Sequence, residues 1–224
     1  MNLSKSYEFF KPEDCRGRIH IIGCGAVGST LAENIARLGI TRISLYDFDT
    51  VESKNIANQM FLEKDIGKPK VEAVARAICR INPEIASELR LYREGYVNQN
   101  LSGHVFLCVD NIDLRRTICE SNRSNANIAS IYDFRMGLTN GQHYAADWSK
   151  PQDRERLLNT MQFSHAEAAE ETPVSACNQV LSVAPTVRTL VAFGVANFMN
   201  FIKGNDLKRT VLVDAFGFDL EAYD

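Results

Sequence analysis

The feature that most constrains this chain is the apolar run Arg18 to Ile22 leading directly into Gly23-Cys24-Gly25-Ala26-Val27-Gly28. A short apolar run that stops at a glycine reads as a buried parallel strand. From Ala26 to Leu38 the apolar positions Val27, Leu31, Ile35 and Leu38 recur at three- and four-residue steps, which predicts a helix, and Gly39 is placed to end it. Arg42 to Tyr46 is a second strand, running out into Asp47-Phe48-Asp49. Parallel strands need a long crossover, and strand, glycine turn, helix and strand in about thirty residues is the smallest unit that supplies one.

The alternation continues. A helix is expected over Lys68 to Ile81, opened by Gly67 and Pro69, and strands over Ser87 to Tyr92, His104 to Val109, Ile128 to Tyr132 and Gly141 to Asp147, with a helix over Asp113 to Asn122. Residues 149–180 are polar, charged and poor in periodicity, and read as a mobile crossover segment or lid. Leu181 to Ile202 is a long apolar helix, tolerating Pro185 only near its start, and Thr210 to Ala215 is a closing strand. The expectation is an α/β, Rossmann-like, doubly wound mixed sheet with helices on both faces. It forms one nucleotide-binding domain over 1–224, with an N-terminal arm at 1–17.

Composition narrows the function classes. The chain is 45% hydrophobic and 24% charged, as in an ordinary globular protein, and its formal charge of -3 supplies no pull toward nucleic acid or an anionic membrane. The apolar run from Leu190 to Ile202 is too short to span a bilayer, and Met1 to Phe10 lacks an apolar leader core. Cysteines 15, 24, 79, 108, 119 and 177 include no Cys-x-x-Cys pair, so zinc is not expected and the pattern reads as cytoplasmic. His104, His143 and His165 have no ligand spacing, and His20 reads as a satisfied core residue.

In the glycine loop, Gly23 allows the turn off the strand, Gly25 lets phosphate oxygens approach the backbone, and Gly28 lets helix and strand pack closely. The helix start at Ala26 and Val27 offers free N–H groups and partial positive charge to an anion. Asp47 is placed to hydrogen-bond a ribose hydroxyl, with Asp49 beside it. This much suits NAD as well as ATP.

The string DFDTVESKNIANQMFLEKDIGKPKVEAV, followed by LCVDNIDLRR, resembles the ThiF/MoeB/HesA family, bacterial relatives of the ubiquitin-activating E1 enzymes. The resemblance covers most of Arg18 to Ile202. It implies the E1-like fold, a homodimer, ATP and Mg2+ as cofactors, and adenylation of the C-terminal carboxylate of a small ubiquitin-like or sulfur-carrier protein. By that resemblance Asp47 holds the ribose, Asn55 and Gln59 line the phosphate site, and Lys70 neutralises the triphosphate, with Lys68 nearby. Asp110 holds Mg2+, Asn111 joins it, and Arg115 shapes the site. Each has a plainer reading: Asp110 and Asn111 as helix caps, the lysines as solvated charges, Asn55 and Gln59 as turn residues.

Two departures bear on turnover. Asn58 stands where the family usually carries an arginine, and the segment Met1 to Asp14 has no arginine, only Lys5 and Lys11. Arginines on a transferring phosphoryl group are worth roughly 1,000-fold or more, and Arg135 in Asp-Phe-Arg-Met-Gly is the candidate replacement. Cys177 lies in the segment where some members carry an acceptor cysteine for the activated carrier. The alternatives are an E1-like regulatory or scaffold protein with little turnover and an NAD-dependent oxidoreductase, which leaves Asn55, Gln59, Lys70 and Asp110 without a joint explanation.

Overall fold

The computed structural model describes residues 1–176 and 180–224. The leading unit forms where its pattern places it: β1 (Ile19–Ile22), α1 (Ala26–Arg37) and β2 (Ile43–Tyr46), with every residue of both strands buried. Then come α2 (Lys70–Ile81), β3 (Arg90–Tyr92), β4 (Gly103–Leu107), α3 (Ile112–Ser121), β5 (Ile128–Met136) and β6 (Asn140–Asp147). The chain closes with α4 (Pro151–Asn159), α5 (His165–Glu171), α6 (Ala184–Ile202), β7 (Thr210–Asp214) and β8 (Asp219–Tyr223).

Among the described residues these strands form one sheet in the order β3-β2-β1-β4-β5-β6-β7-β8. The first five are parallel to their neighbours, and β6, β7 and β8 are added antiparallel. One face buries Leu31 and Ile35 of α1, Val71 and Val74 of α2, and Leu190, Val191 and Phe198 of α6 against Ile21, Phe106, Tyr132 and Phe134. The other buries Ile118 of α3 and Leu157 and Leu158 of α4 against Leu107, Ile131 and Trp148. The expected doubly wound mixed sheet with helices on both faces is therefore the observed one. The strand order reverses between β1 and β4, and in open α/β sheets ligands sit outside the carboxyl ends of the strands at such a point.

The structure adds detail to several expectations. Residues 149–180, read from the sequence as a mobile crossover segment or lid, include two helices that the periodicity did not predict, α4 and α5. Buried Asp153 accepts from Arg209 Nε at 2.7 Å, and Leu157, Leu158 and Met161 are buried, so tertiary contacts order a stretch whose own periodicity is weak. Residues 1–17 lie against their own chain: Phe10 is buried, Leu3 packs at Gly39, and the terminal amine meets Glu84 at 2.8 Å. α6 begins at Ala184, placing Pro185 in its first turn, where a missing N–H costs little. β5 runs on to Met136, so Arg135 belongs to a strand. No described helix is long and apolar enough to cross a membrane.

Several polar residues inside this core are paired, while Ser44 Oγ, Tyr132 Oη and His143 Nδ1 are buried without a partner among the described residues. Asn197, in the middle of apolar α6, accepts from the Lys208 N–H at 2.9 Å and donates to the Lys208 carbonyl at 2.7 Å. Its amide also donates to His143 Nε2 at 3.1 Å. Burial pushes His143 down to about 4, so the ring stays neutral and accepts. His20 bonds Tyr46 Oη at 2.8 Å and accepts the Ser102 N–H at 3.3 Å, and burial pushes it down to about 4 as well.

Candidate functional site

At the carboxyl ends of β1, β2 and β4 the glycine loop adopts three distinct geometries. Gly23 has φ +95°, and a Cβ there would lie 2.8 Å from the Cys108 carbonyl carbon, so only glycine fits between the two strand ends. A Cβ on Gly28 would lie 1.8 Å from the Gly23 carbonyl oxygen, which is the close helix–strand approach the sequence implies. A Cβ on Gly25 would meet nothing within 4 Å. Gly25 is the N-cap of α1 and supplies no side chain, so the first-turn N–H groups, including those of Ala26 and Val27, have no cap from that residue. The loop is a tight frame around one open position.

Asp47 is built into this frame. Its two carboxylate oxygens accept the Cys24 N–H at 2.6 Å and the Asp49 N–H at 2.8 Å, tying the end of β2 to the glycine loop. Burial raises its carboxyl above the ordinary carboxylate range, while those N–H bonds and the Lys70 charge oppose the rise. Lys70 opens α2 and is buried, with Nζ 2.7 Å from Asp49 Oδ2. Asp49 is half exposed and therefore the looser partner. An incoming anion can compete with it for a lysine already held in place. Lys68 instead pairs with Asp65 at 3.6 Å.

Asn55 is buried and its side chain accepts the Glu52 N–H at 2.8 Å, closing a one-turn helix over Ser53–Ala57. Gln59 follows, its N–H bonded to the Asn55 carbonyl at 2.9 Å, and its Oε1 is buried with no partner. An orphaned buried amide oxygen costs on the order of 1–3 kcal/mol unless something fills its bond. Asn58 is half-buried, with its N–H 3.4 Å from the same carbonyl. Just past β4, Asp110 is exposed and makes no hydrogen bond or ion pair with any described residue. Asn111 is the N-cap of α3, its side chain accepting the Leu114 N–H at 3.0 Å, so the capping reading holds for Asn111 and leaves Asp110 free.

Both arginines near this edge are engaged. Arg115 donates to the carboxylate of Asp133, to the Phe134 carbonyl at 2.6 Å and to the Val109 carbonyl. Arg135 donates to Asp133 at 2.7 Å and, through its two terminal nitrogens, to the carbonyl and hydroxyl of Thr160, each at 2.7 Å. It also lies over the rings of Tyr144 and Phe163, at 4.5 and 5.7 Å from their centroids. The sequence reading missed Asp133, a wholly buried carboxylate in a central strand. Its signal was legible: an acid within the apolar run of β5, two residues before an arginine and so on the same face. Cys177 lies outside the described residues.

The donors present fit a magnesium nucleotide. No group of three or more ligating side chains gathers among the described residues. Mg2+ characteristically takes one or two carboxylates and completes its shell with nucleotide phosphates and water, and free Asp110 is such a carboxylate. Open space at Gly25 and a held lysine suit the phosphates, whereas the unpartnered Gln59 Oε1 is an acceptor and calls for a donor or a cation.

Residues 15–216 match the ThiF family model. Among curated proteins the chain is similar to ubiquitin-like modifier-activating enzyme 5 of Drosophila persimilis, at 32% identity over 134 residues, covering 53% of this chain and 34% of that one. The Arabidopsis thaliana protein of the same name is 40% identical over 70 residues, covering 31% of this chain and 16% of its own. The chain thus spans about a third or less of the length of these relatives. Among solved structures, PaaA superposes with a TM-score of 0.71 at 17% identity, over 95% of this chain and 65% of that one. E. coli MccB with ATP gives 0.68 at 17%, over the same shares. These likenesses establish the fold.

Proposed function

The chain belongs to the ThiF family, and from that membership we propose that it is an ATP-dependent adenylyltransferase. Its substrate on this reading is the C-terminal carboxylate of a ubiquitin-like or sulfur-carrier protein, or of a peptide. The observation that carries the reading is the free Asp110 carboxylate at the strand-order reversal, on the same edge as the open Gly25 position and Lys70. Among the described residues Asp110 is neither paired nor a helix cap. A relative crystallised with ATP and a family of modifier-activating enzymes support the choice of ATP over NAD.

The reaction joins a carboxylate oxygen to the α-phosphorus of ATP as the bond to pyrophosphate breaks. The chain's part is positioning and charge neutralisation. Backbone N–H groups at Gly25, Ala26, Val27 and Gly28 receive phosphate oxygens. Asp47, locked by Cys24 and Asp49, receives a ribose hydroxyl. Lys70 leaves Asp49 for the phosphates, and Asn55, Asn58 and Gln59 line them. Asp110 would hold Mg2+, which when bound would supply charge neutralisation for the leaving pyrophosphate. Where a carrier is then passed to Cys177, its thiolate attacks the acyl carbon and AMP leaves.

A second reading rests on the arginines. Asn58 replaces one, and Arg115 and Arg135 are both engaged by Asp133, so no arginine among them is free to stabilise the transition state. A nucleotide-binding regulatory protein with little turnover fits that deficit. ATP–pyrophosphate exchange, run against ubiquitin-like carriers and peptides from the same source, decides between the readings. Carrier-dependent exchange that Asp110→Ala abolishes is the expected result. ATP binding without exchange for any carrier selects the regulatory protein, and full exchange by Asp110→Ala removes Asp110 from the site.

A further inference from the structure

Arg135 enters as the candidate replacement for a missing phosphate-binding arginine, yet its polar contacts lead away from the glycine loop. Nε meets Asp133 Oδ2, and the two terminal nitrogens meet Thr160 at the end of α4, while the guanidinium is held over Tyr144 and Phe163. A guanidinium held by a carboxylate, a carbonyl, a hydroxyl and two rings is fixed in place. The other oxygen of Asp133 receives Arg115, whose remaining bonds run to the carbonyls of Phe134 and Val109. Two arginines thus share one buried carboxylate, and charge-assisted bonds form a continuous line: Thr160, Arg135, Asp133, Arg115, Val109.

The line ends one residue before Asp110. The Asp110 side chain bonds no described residue, so what the structure fixes is the stretch of backbone that carries it. On one side that backbone is held by the Asn111 cap on α3. On the other it is held by Arg115 at the Val109 carbonyl. Resting on the reading of Asp110 as the carboxylate that meets the magnesium nucleotide, we propose that Arg135, Asp133 and Arg115 are positioning residues. They aim Asp110 and couple it to Thr160, at the start of the segment that leads through α5 toward residue 176. Arg135 then acts on the metal and never on the phosphates, and a partner that shifts the 160–176 segment would change how well Asp110 meets Mg2+.

The test is ATP binding by calorimetry with Mg2+ and with EDTA, reading the factor by which Mg2+ tightens binding. Arg135→Met removes one of two cations that share a single carboxylate, leaving a balanced Arg115–Asp133 pair, and Thr160→Val removes one acceptor without touching any charge. Groups that orient a metal ligand are typically worth about 10- to 100-fold in metal affinity. The Mg2+ factor is therefore expected to fall at least about tenfold in Arg135→Met and less in Thr160→Val, with ATP affinity in EDTA within about twofold of wild type in both. If Arg135→Met weakens binding equally with and without Mg2+, Arg135 is a phosphate ligand and the relay is wrong. An unchanged Mg2+ factor in both variants also overturns it, and should Arg135→Met not fold, Thr160→Val decides alone. Wild-type protein that binds no ATP, or an Mg2+ factor that survives Asp110→Ala, instead overturns the nucleotide reading and the relay with it.

Discussion

Two alanine substitutions three residues apart in the glycine loop are expected to fail in opposite ways. At Gly28 a Cβ would lie 1.8 Å from the Gly23 carbonyl oxygen and 2.9 Å from its carbon, both backbone atoms that have nowhere to move. Gly28→Ala must push α1 off β1, and overpacking of this kind costs about 1–3 kcal/mol or more. At Gly25 a Cβ meets nothing within 4 Å, and φ is -74°, a value open to alanine. Gly25→Ala should cost the fold only about 1 kcal/mol or less, the worth of exchanging glycine for alanine at an N-cap. The added methyl does occupy the space where phosphate oxygens would approach the first-turn N–H groups. Losing one hydrogen bond to a charged group costs about 1.5–3 kcal/mol, or about 10- to 150-fold in ATP affinity. Urea unfolding and ATP calorimetry on both variants separate the effects. A folded Gly25→Ala protein that still binds ATP with unchanged affinity would refute the placement of phosphate over Gly25, whatever the loop's role in the fold.

Acid should destabilise this protein well before its carboxylates titrate. Burial pushes His20, His104 and His143 each down to about 4, whereas an unfolded histidine titrates near 6.5. Above that value both states are neutral and the histidines contribute no pH dependence. Between about 6.5 and 4 the unfolded chain takes up the protons first, so each histidine removes about 1.4 kcal/mol of stability per pH unit. Urea midpoints that stay flat from pH 7 to pH 5 would contradict it. Asn111→Ala should cost about 1 kcal/mol of stability through the lost α3 cap, and an unchanged urea midpoint would show that the cap is dispensable. Gly194→Ala should be severely destabilising, since its Cβ would lie 2.2 Å from a Phe134 ring carbon; a wild-type midpoint would mean that Phe134 is free to turn aside.

How much of this was legible in the residues follows from how local each feature is. Strand, glycine loop, helix and strand are set by neighbours along the chain, and β1, α1 and β2 form within a residue or two of their predicted ends. Asp47 was read from that same unit, whereas Asn55, Gln59, Lys70 and Asp110 entered as candidates through the resemblance of their motifs to the ThiF/MoeB/HesA family. α4 was missed because its order comes from Asp153 meeting Arg209 and from Leu157, Leu158 and Met161 packing on a face that only β6 and α3 create. β8 was missed because all five of its residues are exposed, leaving no alternation to read. Arg135 is the sharpest case. The residues alone supplied a cation near a site short of arginine, and nothing in the spacing revealed that Asp133 and Thr160 already hold it. Whether a charge is free or paired depends on contacts from distant parts of the chain, and only the folded structure decides that. The sequence by itself determined the class of fold and singled out the edge proposed for a nucleotide, because periodicity and glycine geometry act over a few residues. Which groups on that edge are available for chemistry was a tertiary outcome: Asp110 has no partner among the described residues, and Arg115 and Arg135 are committed to one buried carboxylate.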